Sequence, residues 1–297
     1  MEVAAMADLK TIYDEDGIQG ILPYAFNSNE PGYKFLCDVL KAGYALWFLV
    51  GQKNNMPFLE VEESKLYFSF FTTEEEAHNH ADTLARHRYY TTPIKTESDT
   101  SFDLLWKRSR DLGATHINID QAVWINIKDL APVAEYDGYI SADAPIRNAK
   151  INSLMLLFNQ QISADIKNER LTAELWRALQ DSRFYVPLMP TEEIEPGKAM
   201  TDDNSSPHTI NYGEGLLTLP VFTDQAFLTA YAQAFELPDE AWAVVKTPDL
   251  KEILNYTRNN TQLAAIINPC SLDLLLSKDA IEEFERIALV DDAQARS

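Results

Sequence analysis

Two stretches of this chain carry one reading: Leu66-Tyr67-Phe68-Ser69-Phe70-Phe71-Thr72-Thr73 and Leu217-Thr218-Leu219-Pro220-Val221-Phe222-Thr223-Asp224. Each reads as a strand with one buried face, because its apolar residues recur at every second position. Each then turns at a Phe-Thr corner and enters an amphipathic helix, from Glu74 in the first copy and from Gln225 in the second. In register, Leu66, Phe68 and Phe70 answer Leu217, Leu219 and Val221, and beyond the corner Ala77, Ala81 and Leu84 answer Leu228, Ala232 and Phe235. Thr73 with Glu76 three residues on forms a capping box, and Asp224 is the N-cap of the second helix. Thr72 and Thr223 read as corner residues rather than nucleophiles. No base stands near either in sequence, and a turn or cap role explains both.

The repeat extends outward from the corners. Upstream, Leu36, Val39 and Leu40 mark a helix that ends at Gly43, and Leu46-Trp47-Phe48-Leu49-Val50 reads as a buried strand. The second half matches it with Leu175, Ala178 and Leu179 on a helix, then Phe184-Tyr185-Val186-Pro187-Leu188, where Pro187 points to an edge or a strand end. The connection to the corner strand is short in the first half, Gly51 to Ser64, and long in the second, Met189 to Gly215. That long loop carries Glu192, Glu193, Glu195, Asp202 and Asp203. It reads as disorder or a plain insertion, or else as a partner-binding element. Tyr212 and Trp242, near loops, are the candidate aromatic anchors for a partner.

Downstream, Ile94-Lys95-Thr96 and Val245-Lys246-Thr247 read as short strands. Helices follow, with Phe102, Leu105 and Trp106 in one, closed by Gly113, and Leu250, Ile253 and Leu254 in the other. Thr247 as cap and Pro248 at the first helical position start the second. Ile117-Asn118 then answers Ile267-Asn268, with last strands at Val123 to Ile127 and Leu272 to Leu276 and a closing helix from Ala280 to Leu289. Asp137 to Pro145 reads as a linker, and Leu154, Leu157, Phe158 and Ile162 give an extra helix that opens the second half. The expected fold is α/β (α+β), a tandem duplication of a small mixed-sheet domain of about four strands with flanking helices. The expected domains are residues 1–140 and 146–297.

The second half resembles the SseB-like family, named for an enhanced-serine-sensitivity protein. The residues that carry the resemblance are Tyr185-Val186-Pro187-Leu188, Leu219-Pro220-Val221-Phe222-Thr223-Asp224 and Ile267-Asn268-Pro269. The first half keeps the layout but has Phe70-Phe71-Thr72-Thr73 and Ile117-Asn118-Ile119, so it is read as a divergent SseB-like copy. The resemblance implies a bacterial cytosolic protein. It supplies no catalytic residues to carry over.

Composition excludes several classes. The chain holds 46 acidic against 25 basic residues, a formal net charge of −21. Phosphate backbones would be repelled, so no nucleic-acid partner is expected. No apolar run approaches the ~18 residues of a membrane span, and the start lacks a basic n-region, so no membrane association or secretory signal is expected. Cys37 and Cys270 lie in different halves, which argues against a disulfide framework or a cysteine zinc site. His78 and His80 sit two apart on a helix and face different ways, so they read as a solvated face and not as metal ligands. No glycine-rich phosphate loop and no Gly-x-Ser-x-Gly elbow occurs. Neither a catalytic residue nor a cofactor is expected.

These readings converge on a non-catalytic protein-interaction role with an acidic surface and a protein partner, for which a basic one is the sharper expectation. Two alternatives stay open. One is an immunity or inhibitor protein that neutralises a basic toxin by charge complementarity. The other is an enzyme or small-ligand binder with a site between the two domains, where Asn118 and Asn268, or Thr72 and Thr223, would hold matching positions. No oligomeric state is implied.

Overall fold

The computed structural model describes residues 2–97, 102–131, 146, 148–190, 205–212, 215–235, 245–246, 248–259 and 263–295. The chain forms two compact units. The first is Met1–Glu135 with Asn159–Ile166, and the second is Tyr136–Phe158 with Lys167–Ser297. The linker expected at 137–145 lies outside the described residues.

The first unit opens with helix α1 (Glu2–Ile21), interrupted at Gly17, whose φ of 66° favours glycine. A 3₁₀ turn (Leu22–Tyr24) and α2 (Pro31–Ala42) follow. Pro31 starts α2, since its missing N–H costs nothing in a first turn. Strands β1 (Trp47–Gly51), β2 (Leu59–Glu62) and β3 (Lys65–Phe71) lead to α3 (Glu74–Ala85), then β4 (Thr91–Lys95), α4 (Phe102–Asp111), β5 (His116–Ile119), β6 (Val123–Asn126) and α5 (Ile127–Leu130). The sheet order is β4-β1-β3-β5-β6, with β2 beside β3. The β3–β5 pair is parallel and the β1–β3, β1–β4, β2–β3 and β5–β6 pairs are antiparallel.

The second unit follows the same path. Helices α6 (Ala149–Ser163), whose residues from Asn159 on are grouped with the first unit, and α7 (Glu169–Gln180) precede β7 (Val186–Pro190), β8 (Ser205–Pro207), β9 (Ile210–Asn211) and β10 (Leu217–Val221). Then come α8 (Gln225–Ala234), β11 (Val245–Lys246), α9 (Leu250–Arg258), β12 (Leu263–Ile267), β13 (Leu274–Leu276) and α10 (Lys278–Ala295). One sheet runs β13-β12-β10-β9 and another β11-β7-β8. They meet where Tyr185 and Phe222 exchange both backbone hydrogen bonds, at 2.8 and 2.9 Å. The β10–β12 pair is parallel, like β3–β5.

Each unit therefore holds a mixed sheet with flanking helices, as expected, but with more strands than the expected four. Residues 59–62, expected within a loop, form β2, and the stretch from Met189 to Gly215 contains β8 and β9. The cause is visible in Leu59-Glu60-Val61-Glu62, a strict alternation that ends at Glu63 with φ 52°. Pro187 stands second in β7, where β11 flanks the start of the strand and β8 its end. Helix α9 begins at Leu250 with Asp249 as its cap, accepting the Glu252 N–H at 2.8 Å. Thr247, expected as that cap, lies outside the described residues. Gly43 and Gly113 close α2 and α4 with φ of 101° and 91°.

The cores follow from the strand faces. Phe70 meets the fully buried Trp106 edge-on at 5.2 Å, and the Trp106 indole N–H donates to the Leu40 carbonyl. On the opposite face Phe71 packs with Leu49, Phe58, Ala77 and Ala81. In the second unit Trp176 stacks on Phe284 of α10, and Arg177 holds Asp291 and Asp292 of the same helix. Trp106→Ala removes a fully buried ring and should lower the stability of the first unit by about 3–5 kcal/mol. Asp249→Ala should cost about 1 kcal/mol through the lost cap. Urea unfolding checks both, as a shifted midpoint at unchanged slope.

Candidate functional site

The corner where β3 and β10 end is the most polar feature that the two units share. In the second unit, Asn268 follows β12 with its own N–H on the Val221 carbonyl and φ 49°, a left-handed conformation that asparagine tolerates. Its amide oxygen accepts the Thr223 N–H at 3.0 Å, and its amide nitrogen donates to the Thr223 hydroxyl at 2.8 Å. That hydroxyl donates to Asn152 of α6 at 2.6 Å, and Asn152 donates to the Asp224 carboxylate at 3.0 Å. Asp224 caps α8 through the Phe227 N–H. Thr223, Asn152 and Asn268 are each 0% exposed, so the network is dry and internally satisfied.

The first unit builds this corner from other residues. Asp120 follows β5 with its N–H on the Phe70 carbonyl and φ 51°, and its carboxylate accepts the Thr72 N–H at 2.8 Å and the Thr72 hydroxyl at 2.7 Å. Gln19 of α1 donates to the same hydroxyl at 3.0 Å. Thr73 caps α3 through the Glu76 N–H. Burial, together with hydrogen bonding to Asp120, raises Glu76 above the usual carboxylate range. This corner is acidic and reaches solvent, while its counterpart is neutral and closed. The matching residue is Asp120 rather than Asn118, since Phe70 pairs with Ile119 and Val221 with Ile267. The sequence alignment of Asn118 with Asn268 is thus two residues out of register.

A second polar group lies on the same sheet. Glu60 of β2 accepts from Ser69 of β3 and is bonded to His80 of α3 at 2.9 Å, with both the Glu60 and His80 side chains largely buried. Gln121 donates to the Ser69 hydroxyl at 2.8 Å. Burial and then Glu60 push the Tyr67 hydroxyl up. Asn118, in register with Ser69, is buried with an amide oxygen that has no partner among the described residues. His80, expected on a solvated face, is instead held by Glu60, while His78 is 60% exposed as expected. Sequence reading missed this hub because Glu60 stood in an expected loop. The alternation of Leu59 to Glu62 was the available signal. The Ser69–Glu60 bond ties β3 to β2, and the Glu60–His80 bond ties β2 to α3.

The cysteines are not activated. Burial pushes the Cys37 thiol up to about 12, and burial followed by Asp273 raises Cys270. Among the described residues no group of three or more His, Cys, Asp or Glu is arranged to hold a metal ion. No helix among them is long and apolar enough to cross a membrane. Of the residues expected to bind a partner, Tyr212 is exposed at the end of β9 and its N–H closes the turn to Leu216. Glu192, Glu193, Glu195, Asp202, Asp203 and Trp242 lie outside the described residues.

Residues 162–283 match the family model described as the SseB protein N-terminal domain. The second half is SseB-like. The match spans α7 to α10 and so includes the closed Thr223–Asn268 corner, while residues 1–161 fall outside it. Similar solved structures include Anabaena Tic22, titled for protein transport, at 10% identity over 84% of this chain and 95% of that chain, with a TM-score of 0.21. Tic22 from Plasmodium falciparum is 8% identical over 84% of this chain and 96% of that one, with a TM-score of 0.19. Neither likeness carries an argument about this chain. No curated protein matches it.

Two outcomes follow from the geometry. Thr223→Val leaves buried partners unsatisfied and should cost the SseB-like unit about 1–3 kcal/mol. Thr72→Val should cost less, because water can replace the hydroxyl there. Chemical denaturation of the two variants compares them directly. His208, bonded to the Tyr231 hydroxyl at 3.1 Å, has its pKa lowered from 6.5 by burial. Below that value the unfolded chain takes up a proton that the folded chain resists. Stability should therefore fall as pH drops from 6.5 through the lowered native value. His208→Gln should flatten that part of the curve, as read by melting temperature against pH.

Proposed function

We propose that this chain is a non-catalytic bacterial cytosolic protein that binds another protein through an acidic surface. The single observation that carries this reading is the charge of −21. Carboxylates stand exposed on several elements, among them Glu74 and Glu75 on α3 and Glu282 and Glu283 on α10. A surface of this sign attracts basic partners from a distance and speeds their encounter. The closed corner fits the same reading, since the Thr223 hydroxyl is fully buried and bonded to Asn152. The SseB resemblance favours the bacterial cytosol. An immunity or inhibitor protein for a basic toxin is the sharper form of the proposal, and it rests on the same charge complementarity.

The test is capture from a lysate of the native host on the immobilised full chain, eluted with rising salt. A basic protein retained at stoichiometric yield and released by salt is the expected result. A retained partner indifferent to salt overturns the charge component, and retention of nothing overturns protein binding. Deleting residues 192–211 would also remove β8 and β9, so Glu192→Gln, Glu193→Gln, Glu195→Gln, Asp202→Asn and Asp203→Asn together test the acidic stretch. Unchanged capture by that variant excludes the stretch as the contact.

A further inference from the structure

We infer that the open groove between α1 and the start of α2 docks a basic amphipathic segment of a partner protein, a surface that rests on the proposed protein-binding role and gives it a place. The groove has a volume of about 590 Å³ and is walled by Leu9 and Ile12 of α1, Pro23 and Tyr24 of the turn, and Pro31 and Gly32 of α2. Its shape is set by a close approach. A Cβ on Gly32 would lie 2.0 Å from the Tyr24 carbonyl oxygen, so only glycine lets the turn press onto α2 and leave the space above it. The walls are apolar, and Tyr24 and the neighbouring Phe26 stay 50% and 65% exposed. Large apolar side chains left this accessible mark an interaction surface.

Charge identifies the occupant. Asp8 and Glu30 line the groove, and among the described residues no cation does. Asp16 stands within reach of the Ile12 side chain on the same face of α1, since both would crowd a Cβ placed on Gly20. Residues 8–34 hold the carboxylates Asp8, Asp14, Glu15, Asp16 and Glu30 against Lys10 and Lys34 alone. An apolar floor between carboxylates complements a helix with one apolar face flanked by lysine or arginine, the helix-in-groove mode of recognition. The rim charges give orientation and encounter rate, and the apolar anchors slow release.

The test uses the full chain and a fluorescent amphipathic Leu/Lys helical peptide, read by anisotropy. A scrambled peptide of the same composition serves as comparator. Wild type should bind the amphipathic peptide at least about tenfold more tightly than the scrambled one, a difference of about 1.4 kcal/mol. Tyr24→Arg and the pair Asp8→Lys with Glu30→Lys should each remove that preference. Glu282→Lys with Glu283→Lys changes net charge equally on α10 and should leave it. Melting curves confirm folding, which is expected because Tyr24 and Phe26 are exposed. If both charge-reversed pairs weaken binding alike, the groove is overturned while acidic attraction stands. If no peptide binds wild type, the groove is overturned, while the protein-binding reading stands or falls on the lysate capture. If wild type sediments as a dimer that Tyr24→Arg dissociates, the occupant is a second copy and the heterologous partner is overturned.

Discussion

The parallel strand pair at the centre of each unit is held at its end by one interaction. A short side-chain oxygen just past the second strand accepts the backbone N–H of the corner threonine on the first. Asp120 does this for Thr72 and Asn268 for Thr223. Without it the corner N–H would be left without a partner where the chain leaves the sheet for a helix, a cost that folded proteins avoid. The residue that supplies the oxygen must also adopt φ near +50°, which favours asparagine or aspartate at the position. A leading helix then completes the corner by presenting an amide, Gln19 of α1 or Asn152 of α6, to the threonine hydroxyl.

The two units differ in how they finish this corner, and the difference has consequences. Asparagine carries both a donor and acceptors, so Asn268 satisfies the Thr223 N–H and hydroxyl while staying neutral in a dry site. An ionised aspartate only accepts, and the Asp120 carboxylate takes two donors from Thr72. A charge is costly to bury, and the first corner correspondingly stays open to solvent with Glu76 raised beside it. The same contrast runs through the neighbouring sheet face. The first unit places Glu60, Ser69 and His80 there, and the second places His208 against Tyr231. Polar ties of this kind fix strand register more than they add net stability.

The groove at α1 and α2 belongs to a different kind of feature. It depends on a glycine contact and two prolines that shape backbone, and on apolar side chains that the fold leaves accessible. The hydrogen-bonding groups of the corners are engaged with partners inside their own units, while the groove offers apolar surface between carboxylates.

The sequence by itself determined the order of elements, the paired Phe-Thr corners, the Thr73 and Asp224 caps and the likeness of the second half to SseB. These are local, since period-two alternation, capping chemistry and helix stops at Gly43 and Gly113 act over a few residues. The tertiary structure decided the rest. Asp120 rather than Asn118 matches Asn268, and a two-residue slip is invisible in sequence because it keeps every side chain on the same face. The pairing of Glu60 with His80, of Gln19 with Thr72 and of Asn152 with Thr223 joins residues far apart in the chain, and only the packed strands bring them within hydrogen-bond reach. Tyr24 and Leu9 likewise read as ordinary apolar residues until the close contact at Gly32 leaves a groove between them.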